Sequence, residues 1–126
     1  MSLIVHKYGG SSVENKEKLE LICSKIINEK NNNNDLVVVV SAQGKTTNNL
    51  IAKAEEYTET SNNLSKKDMD FLLSTGEMQT AALLSLMLNN KGYKAVCLTG
   101  SQAGIITNSE FGNAKIIDIV TQNILS

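Results

Sequence analysis

An α/β fold on a mainly parallel sheet is predicted from three observations. Residues 36–40 read LVVVV, a β-branched apolar run of the kind that crosses the middle of a sheet with both faces covered. Before it, an apolar strand-like start and a helical pattern complete a strand–helix–strand unit, whose crossovers are right-handed in nearly all cases. Finally, the segments expected to leave strand ends are short and rich in glycine and hydroxyl residues, as loops at a ligand-binding edge are.

The elements follow in order. Leu3-Ile4-Val5 reads as a short strand and is broken by Gly9-Gly10. Leu19, Ile22, Cys23, Ile26 and Ile27 then recur at helical spacing with charges between them, predicting a helix from Asn15 to Lys30 that ends in the polar tract NNNND at 31–35. After the buried strand, the loop SAQGKTTN leads into a helix over Asn48–Thr60, broken by SNN at 61–63. Ser65 with Asp68 is a capping signal for the next helix. STGE at 74–77 is expected to interrupt that helix, which resumes to Asn89 with Gly92 as its stop. Ala95–Leu98 reads as another buried strand, followed by the loop TGSQAG, and Lys115–Val120 as one more strand. The closing TQNILS offers a capping residue and barely one turn, which would fray alone, so the expectation is a domain cut short.

Composition narrows the function classes. With 126 residues the chain suits one domain, and 41% apolar with 20% charged residues is ordinary for a globular protein. A formal charge of −1 gives no reason to expect nucleic acid or an anionic membrane as a partner. No apolar run is expected to approach the roughly 18–20 residues of a membrane span, and the N-terminus does not read as a signal peptide. Cys23 and Cys97 lack CxxC spacing and are expected to be buried, reduced thiols of a cytoplasmic protein. The sequence contains neither proline nor arginine; all 12 basic residues are lysines.

The chemistry is expected in the loops KYGGSS, SAQGKTTN and TGSQAG. Gly9 and Gly10 permit backbone N–H groups to approach an anion, the following helix adds its positive end, and Lys7 adds a mobile charge. That set suits a polyphosphate; it equally makes a tight strand-to-helix turn beside a solvated lysine. QGKTT ends like a P-loop, but that motif needs a glycine five residues before Gly44, and the residue there is Val39. Thr47 and Asn48 are alternative caps for the helix that follows, and Glu77 is also placed to favour a helix start. Lys45 is expected to be solvated. His6 reads as a packed or surface residue, and Gly100, Ser101, Gln102 and Gly104 as loop structure near the site.

KYGGSSV, VVVVSAQGKTTN, LLSTGE, LTGSQAGI and FGNAKI, in this order and spacing, resemble the N-terminal part of the aspartate kinases of the amino-acid kinase family. The resemblance covers essentially the whole chain. It implies the N-terminal portion of an amino-acid kinase (carbamate kinase-like) fold, a three-layer α/β sandwich with a mainly parallel sheet, and a catalytic domain that is incomplete over 1–126 with no regulatory domain. It implies that Lys7, Tyr8, Gly9 and Gly10 contact the ATP phosphates, with Lys7 the catalytic charge, and that Ser41, Thr47 and Glu77 hold L-aspartate. The cofactor implied is ATP with Mg2+ held mainly by the nucleotide phosphates, with no protein metal site. The product implied is 4-phospho-L-aspartate, the first intermediate toward lysine, threonine and methionine, made by a cytoplasmic homo-oligomer. In that family an arginine in a later glycine-rich segment grips a carboxylate through two parallel bonds, which lysine cannot reproduce. A chain without arginine is therefore expected to be inactive alone. The alternative is a non-catalytic, truncated paralogue serving as a binding or interaction module.

Overall fold

A computed structural model of the chain describes residues 2–99, Gln102 and Ala103, together with the backbone of 105–107 and 116–119. The elements are β1 (Leu3–Tyr8), a 3-10 turn (Gly10–Val13), α1 (Lys16–Asn31), β2 (Asp35–Val40), α2 (Thr46–Thr58), α3 (Lys66–Asn90), β3 (Ile105–Thr107) and β4 (Ile116–Ile119). β1 and β2 pair in parallel from Leu3 opposite Asp35 to Tyr8 opposite Val40, so α1 is the crossover of a βαβ unit. β3 and β4 form a separate antiparallel pair, with the register shifted between Ile106 and Thr107. The strand expected over 115–120 is thus present as β4, whereas TQNILS lies outside the described residues.

Helix α1 forms where its periodicity places it. Asn15 caps it, its side chain accepting from the Lys18 amide at 3.0 Å, with Glu17 in the first turn and Lys30 in the last, as the helix dipole favours. Leu19, Ile22, Cys23 and Ile26 are the buried stripe. They join Val13, Leu84 and Leu88 in the core, against which Tyr8, Leu36, Val38 and Val40 pack from the sheet. The chain leaves α1 through Asn33 at φ 63°, a left-handed position that asparagine tolerates.

Only one face of β2 meets this core. Leu36, Val38 and Val40 point to it, while Val39 is 47% exposed and Val5 of β1 is 63% exposed. The expectation that the valine run is covered on both faces therefore fails among the described residues: alternate side chains of a strand point opposite ways, and on the second face Leu3, Val5 and Val39 are exposed and Val37 only half-buried.

STGE does not interrupt a helix. α3 runs unbroken from Lys66 to Asn90, capped by Ser65, whose Oγ accepts from the Asp68 amide at 3.3 Å. The Ser74 and Thr75 hydroxyls donate to the carbonyls of Phe71 and Leu72 at 2.7 and 2.6 Å, so they are satisfied within the helix. Gly76 is buried in the helix interior, for a packing reason developed below. Gly92, at φ 89°, follows the helix end as expected. As a continuous helix α3 is long and apolar enough to cross a membrane, with mean hydropathy 1.3 over its best window. The sequence expectation missed this because it broke the segment at STGE; in the continuous helix the charges are confined to Lys66, Lys67, Asp68 and Asp70 at its start and to Glu77. Its Gly76, Thr80, Leu84 and Leu88 instead form a stripe buried within the protein.

Helix α2 begins at Thr46, earlier than expected, and ends at Thr58. It packs against α3 yet buries none of its residues. Ala95–Leu98, expected as a buried strand, joins no ladder, and Val96 is 74% exposed. The Asn89 side chain takes the place of a strand partner, accepting from the Ala95 amide at 3.1 Å and donating to its carbonyl at 3.0 Å. Both cysteines are free. Cys23 is buried as expected, and burial first, then Glu20, pushes its thiol up, with Lys91 opposing; Cys97 is exposed, contrary to expectation.

Because Leu84 anchors α3 to the core at 5% exposure and Leu86 on the same helix is 66% exposed, the two truncations should differ. Leu84→Ala is expected to cost about 2–5 kcal/mol and Leu86→Ala no more than about 0.5 kcal/mol. Urea unfolding midpoints of the two variants beside the parent check this, and equal shifts would contradict the assignment of the core.

Candidate functional site

The carboxyl ends of β1 and β2 are extended by Ser41, whose amide donates to the Tyr8 carbonyl at 3.2 Å one residue past the strands. From there the two chains turn together. The Gly44 amide donates to the Gly10 carbonyl at 2.9 Å, and Gln43 Nε2 donates to the Val13 carbonyl at 2.9 Å. A side chain at position 10 would start only 3.1 Å from the Ala42 carbonyl oxygen, so glycine is what lets the loops touch. Gly44 sits at φ 48°, with Glu14 Cβ 3.2 Å from where its own Cβ would be. Gly9 behaves differently: a Cβ there would meet nothing, and the residue is exposed. Of the expected pair, Gly9 is the one open to a ligand, while Gly10 serves the contact between loops.

Helix α3 reaches the same place. A Cβ on Gly76 would lie 2.8 Å from Ala42 Cβ, 3.5 Å from Thr46 Cγ2 and 3.7 Å from Leu50 Cδ1. The middle of α3 therefore rests directly on the loop after β2 and on the start of α2. Glu77, the next residue, is exposed, whereas Ser41 and Thr47 are half-buried. Thr47 lies within the first turn of α2, whose N-cap is Lys45 without a side-chain bond, so neither Thr47 nor Asn48 caps the helix. Among the described residues Glu77 and Lys7 have no ion-pair partner.

On β1 the side chains alternate, and this separates two residues expected to act together. Lys7 is exposed on the face shared with Leu3 and Val5. Tyr8 points to the core, its hydroxyl 3.0 Å from His6 Nδ1 and its ring under Lys25 Nζ at 6.0 Å. Burial pushes its phenol up, so it stays protonated. The Tyr8 carbonyl meets the loop after β2, and the residue also lines a hollow with Ser12, Lys18 and Lys25. Of TGSQAG, Thr99 and Gln102 bond to each other, the Thr99 amide donating to Gln102 Oε1 at 2.9 Å and the Gln102 amide to Thr99 Oγ1 at 3.1 Å; Gly100, Ser101 and Gly104 lie outside the described residues.

Among the described residues no cluster of His, Cys, Asp and Glu is arranged to hold a metal ion. An open cleft of about 520 Å³ lies between α1 and α3, bordered by Leu19, Gln43, Leu83 and Met87. It touches none of Lys7, Ser41, Thr47 and Glu77. Sequence reasoning passed over Ala42, Gln43 and the packing role of Gly76. A glycine flanked by helix-compatible residues on both sides was the available signal for the last.

The comparisons with known proteins agree with this architecture. Residues 2–126 match the amino acid kinase family. The chain is 50% identical over 124 residues to the aspartokinase of Geobacillus stearothermophilus and 49% identical over 124 residues to that of Bacillus sp. strain MGA3. To aspartokinase 2 of Bacillus subtilis strain 168 it is 49% identical over 121 residues. These alignments take in 96–98% of the chain but only 29–30% of the relatives' length. A crystal structure of aspartate kinase from Synechocystis superposes with a TM-score of 0.74 at 42% identity, covering 81% of this chain and 17% of that one. A parallel βαβ unit with glycine-bridged loops at its strand ends, matched over nearly its whole length, belongs to the amino acid kinase family.

Proposed function

We propose that the chain is the N-terminal part of the catalytic domain of an aspartate kinase, which transfers the γ-phosphoryl group of ATP to the side-chain carboxylate of L-aspartate. The observation that carries this is the seating of Gly76 on Ala42 and Thr46, which brings the helix of Glu77 onto the loop of Ser41 and the first turn of α2, where Thr47 lies. The bond between Gly44 and Gly10 joins that loop to the turn beside Lys7. Two sites sharing one scaffold are what a two-substrate transfer needs.

In this reading Lys7 neutralises charge on the transferred group, while main-chain amides of the Tyr8–Gly10 turn hold its oxygens. Open space at Gly9 and a Lys7 without an ion-pair partner among the described residues fit a polyphosphate; Mg2+, when bound, would be held mainly by the phosphates and would screen their charge. Thr47 and Ser41 donate to the α-carboxylate of aspartate, and Glu77 accepts from its ammonium. A side-chain carboxylate oxygen bonds to the γ-phosphorus as the bond to the β,γ-bridging oxygen breaks. The products are 4-phospho-L-aspartate and ADP. The attacking carboxylate is already ionised, so no general base is required, and positioning with electrostatics supplies the rate. A cytoplasmic homo-oligomer feeding lysine, threonine and methionine synthesis completes the proposal.

The first test joins the chain to the remaining domains of the Geobacillus stearothermophilus aspartokinase in place of their own counterpart. Trapping of the acyl phosphate with hydroxylamine should detect product from this chimaera and none from the chain alone. No product from a folded chimaera would refute the kinase reading. Within the chimaera, Lys7→Met should lower kcat by about 10²–10³, as loss of one charged donor at a transferring group does; unchanged turnover would make Lys7 a bystander. Thr47→Ala and Glu77→Ala should raise the KM for aspartate or lower kcat and leave the KM for ATP within about twofold. Steady-state kinetics with each substrate varied separately read these effects, and a change confined to ATP would reassign both residues.

A further inference from the structure

Ala42 lies between two glycines. Its carbonyl oxygen would be 3.1 Å from a Cβ at Gly10, and its methyl carbon 2.8 Å from a Cβ at Gly76. Ala42 itself is 4% exposed, and Gly76 is buried too. A glycine inside a helix is unfavourable relative to alanine, so position 76 needs a reason that the helix alone does not provide. Contact supplies it. Carbon atoms separate at about 3.5–4.0 Å, so a methyl at position 76 would have to move by roughly 1 Å. Thr46 Cγ2 at 3.5 Å and Leu50 Cδ1 at 3.7 Å are already in contact with that position and leave little room beside it. Thr80, fully buried one turn on, donates to the Gly76 carbonyl at 3.3 Å, and its burial on the same stripe ties this turn of α3 to the packed side. The displacement would therefore lift α3 from the loop, and Glu77 with it.

We propose that the Gly76–Ala42 contact is the spacer of the acceptor site: it sets the distance between Glu77 on α3 and the segment that carries Ser41, in the loop after β2, and Thr47, in the first turn of α2. Gly76 is then a positioning residue for recognition of the amino-acid acceptor. The inference rests on the kinase reading above. It also assigns the two sides of Ala42 different duties. The methyl side spaces the acceptor helix, and the carbonyl side, against Gly10, faces the loop assigned to the nucleotide. Widening the methyl side should disturb the acceptor and spare ATP.

The test uses the same chimaera, assayed with aspartate and ATP varied separately. Gly76→Ala is expected to raise the KM for aspartate about tenfold while the KM for ATP stays within about twofold. Gly76→Ala combined with Ala42→Gly removes one of the two clashing methyls and should return the aspartate KM to within about threefold of the parent, a coupling that independent sites do not show. Should Gly76→Ala melt too low to assay, Ala42→Ser adds one atom to the same gap from the opposite side, and its aspartate KM decides the matter. Equal changes in both KM values, no change in either, or failure of the double variant to recover would overturn the spacer while leaving the kinase reading intact. A folded parent chimaera without aspartate-dependent turnover would overturn both.

Discussion

The close packing around Ala42 is the constraint on which the rest of the site depends. One small residue after β2 receives the turn after β1 on its carbonyl side and the middle of α3 on its methyl side. Each neighbour approaches as near as it does because it is a glycine, and any larger residue at 10 or 76 would separate the elements by a sizeable fraction of an ångström to an ångström. Such separations matter more for chemistry than for cohesion, since reacting groups must be held near contact distance for efficient transfer. Two further bonds fix the orientation as well as the distance: Gly44 to Gly10 and Gln43 to Val13, both at 2.9 Å.

Cohesion comes from elsewhere. Val13, Leu19, Ile22, Cys23, Ile26, Leu84 and Leu88 form an apolar cluster between the sheet, α1 and the C-terminal half of α3. The ion pairs Glu14–Lys18, Lys30–Asp35 and Glu20–Lys91 join side chains that are each at least 37% exposed, where such pairs contribute no more than about 1 kcal/mol. Their use is local. Lys18, for example, also donates to the Ser11 carbonyl at 2.9 Å and so steadies the turn that follows Gly9. Stability and site geometry are thus carried by different residues of α3, Leu84 and Leu88 for the one and Gly76 for the other.

The exposed face of Leu3, Val5 and Val39 bears on the same division. Lys7 belongs to that face, beyond the core side occupied by His6 and Tyr8, so the cation assigned to the phosphates projects away from the packed half of the structure. The chain spans about 30% of the length of the curated relatives it matches. A kinase site divided between this portion and other parts of those proteins is consistent with Lys7 and Glu77 having no partners among the described residues.

The local features were legible in the sequence because their causes are local. The period of Leu19, Ile22, Cys23 and Ile26 fixes which face of α1 is buried whatever it packs against, and Ser65 with Asp68 needs only neighbouring backbone to cap α3. The five motif blocks likewise identified the family, since their order and spacing survive without knowledge of contacts. Features that depend on what lies opposite were not legible. STGE looks like a helix break because glycine is a poor helix former in isolation, yet contact with Ala42 reverses the balance. Ala95–Leu98 has strand composition but joins no ladder among the described residues, and Asn89 takes the hydrogen bonds of Ala95 instead. LVVVV has the pattern of a doubly covered strand, but whether its second face is covered depends on what packs there. Residue type and period set what each segment can bury; only the tertiary structure decides which neighbour arrives, and at this site the neighbour is set by the absence of two Cβ atoms.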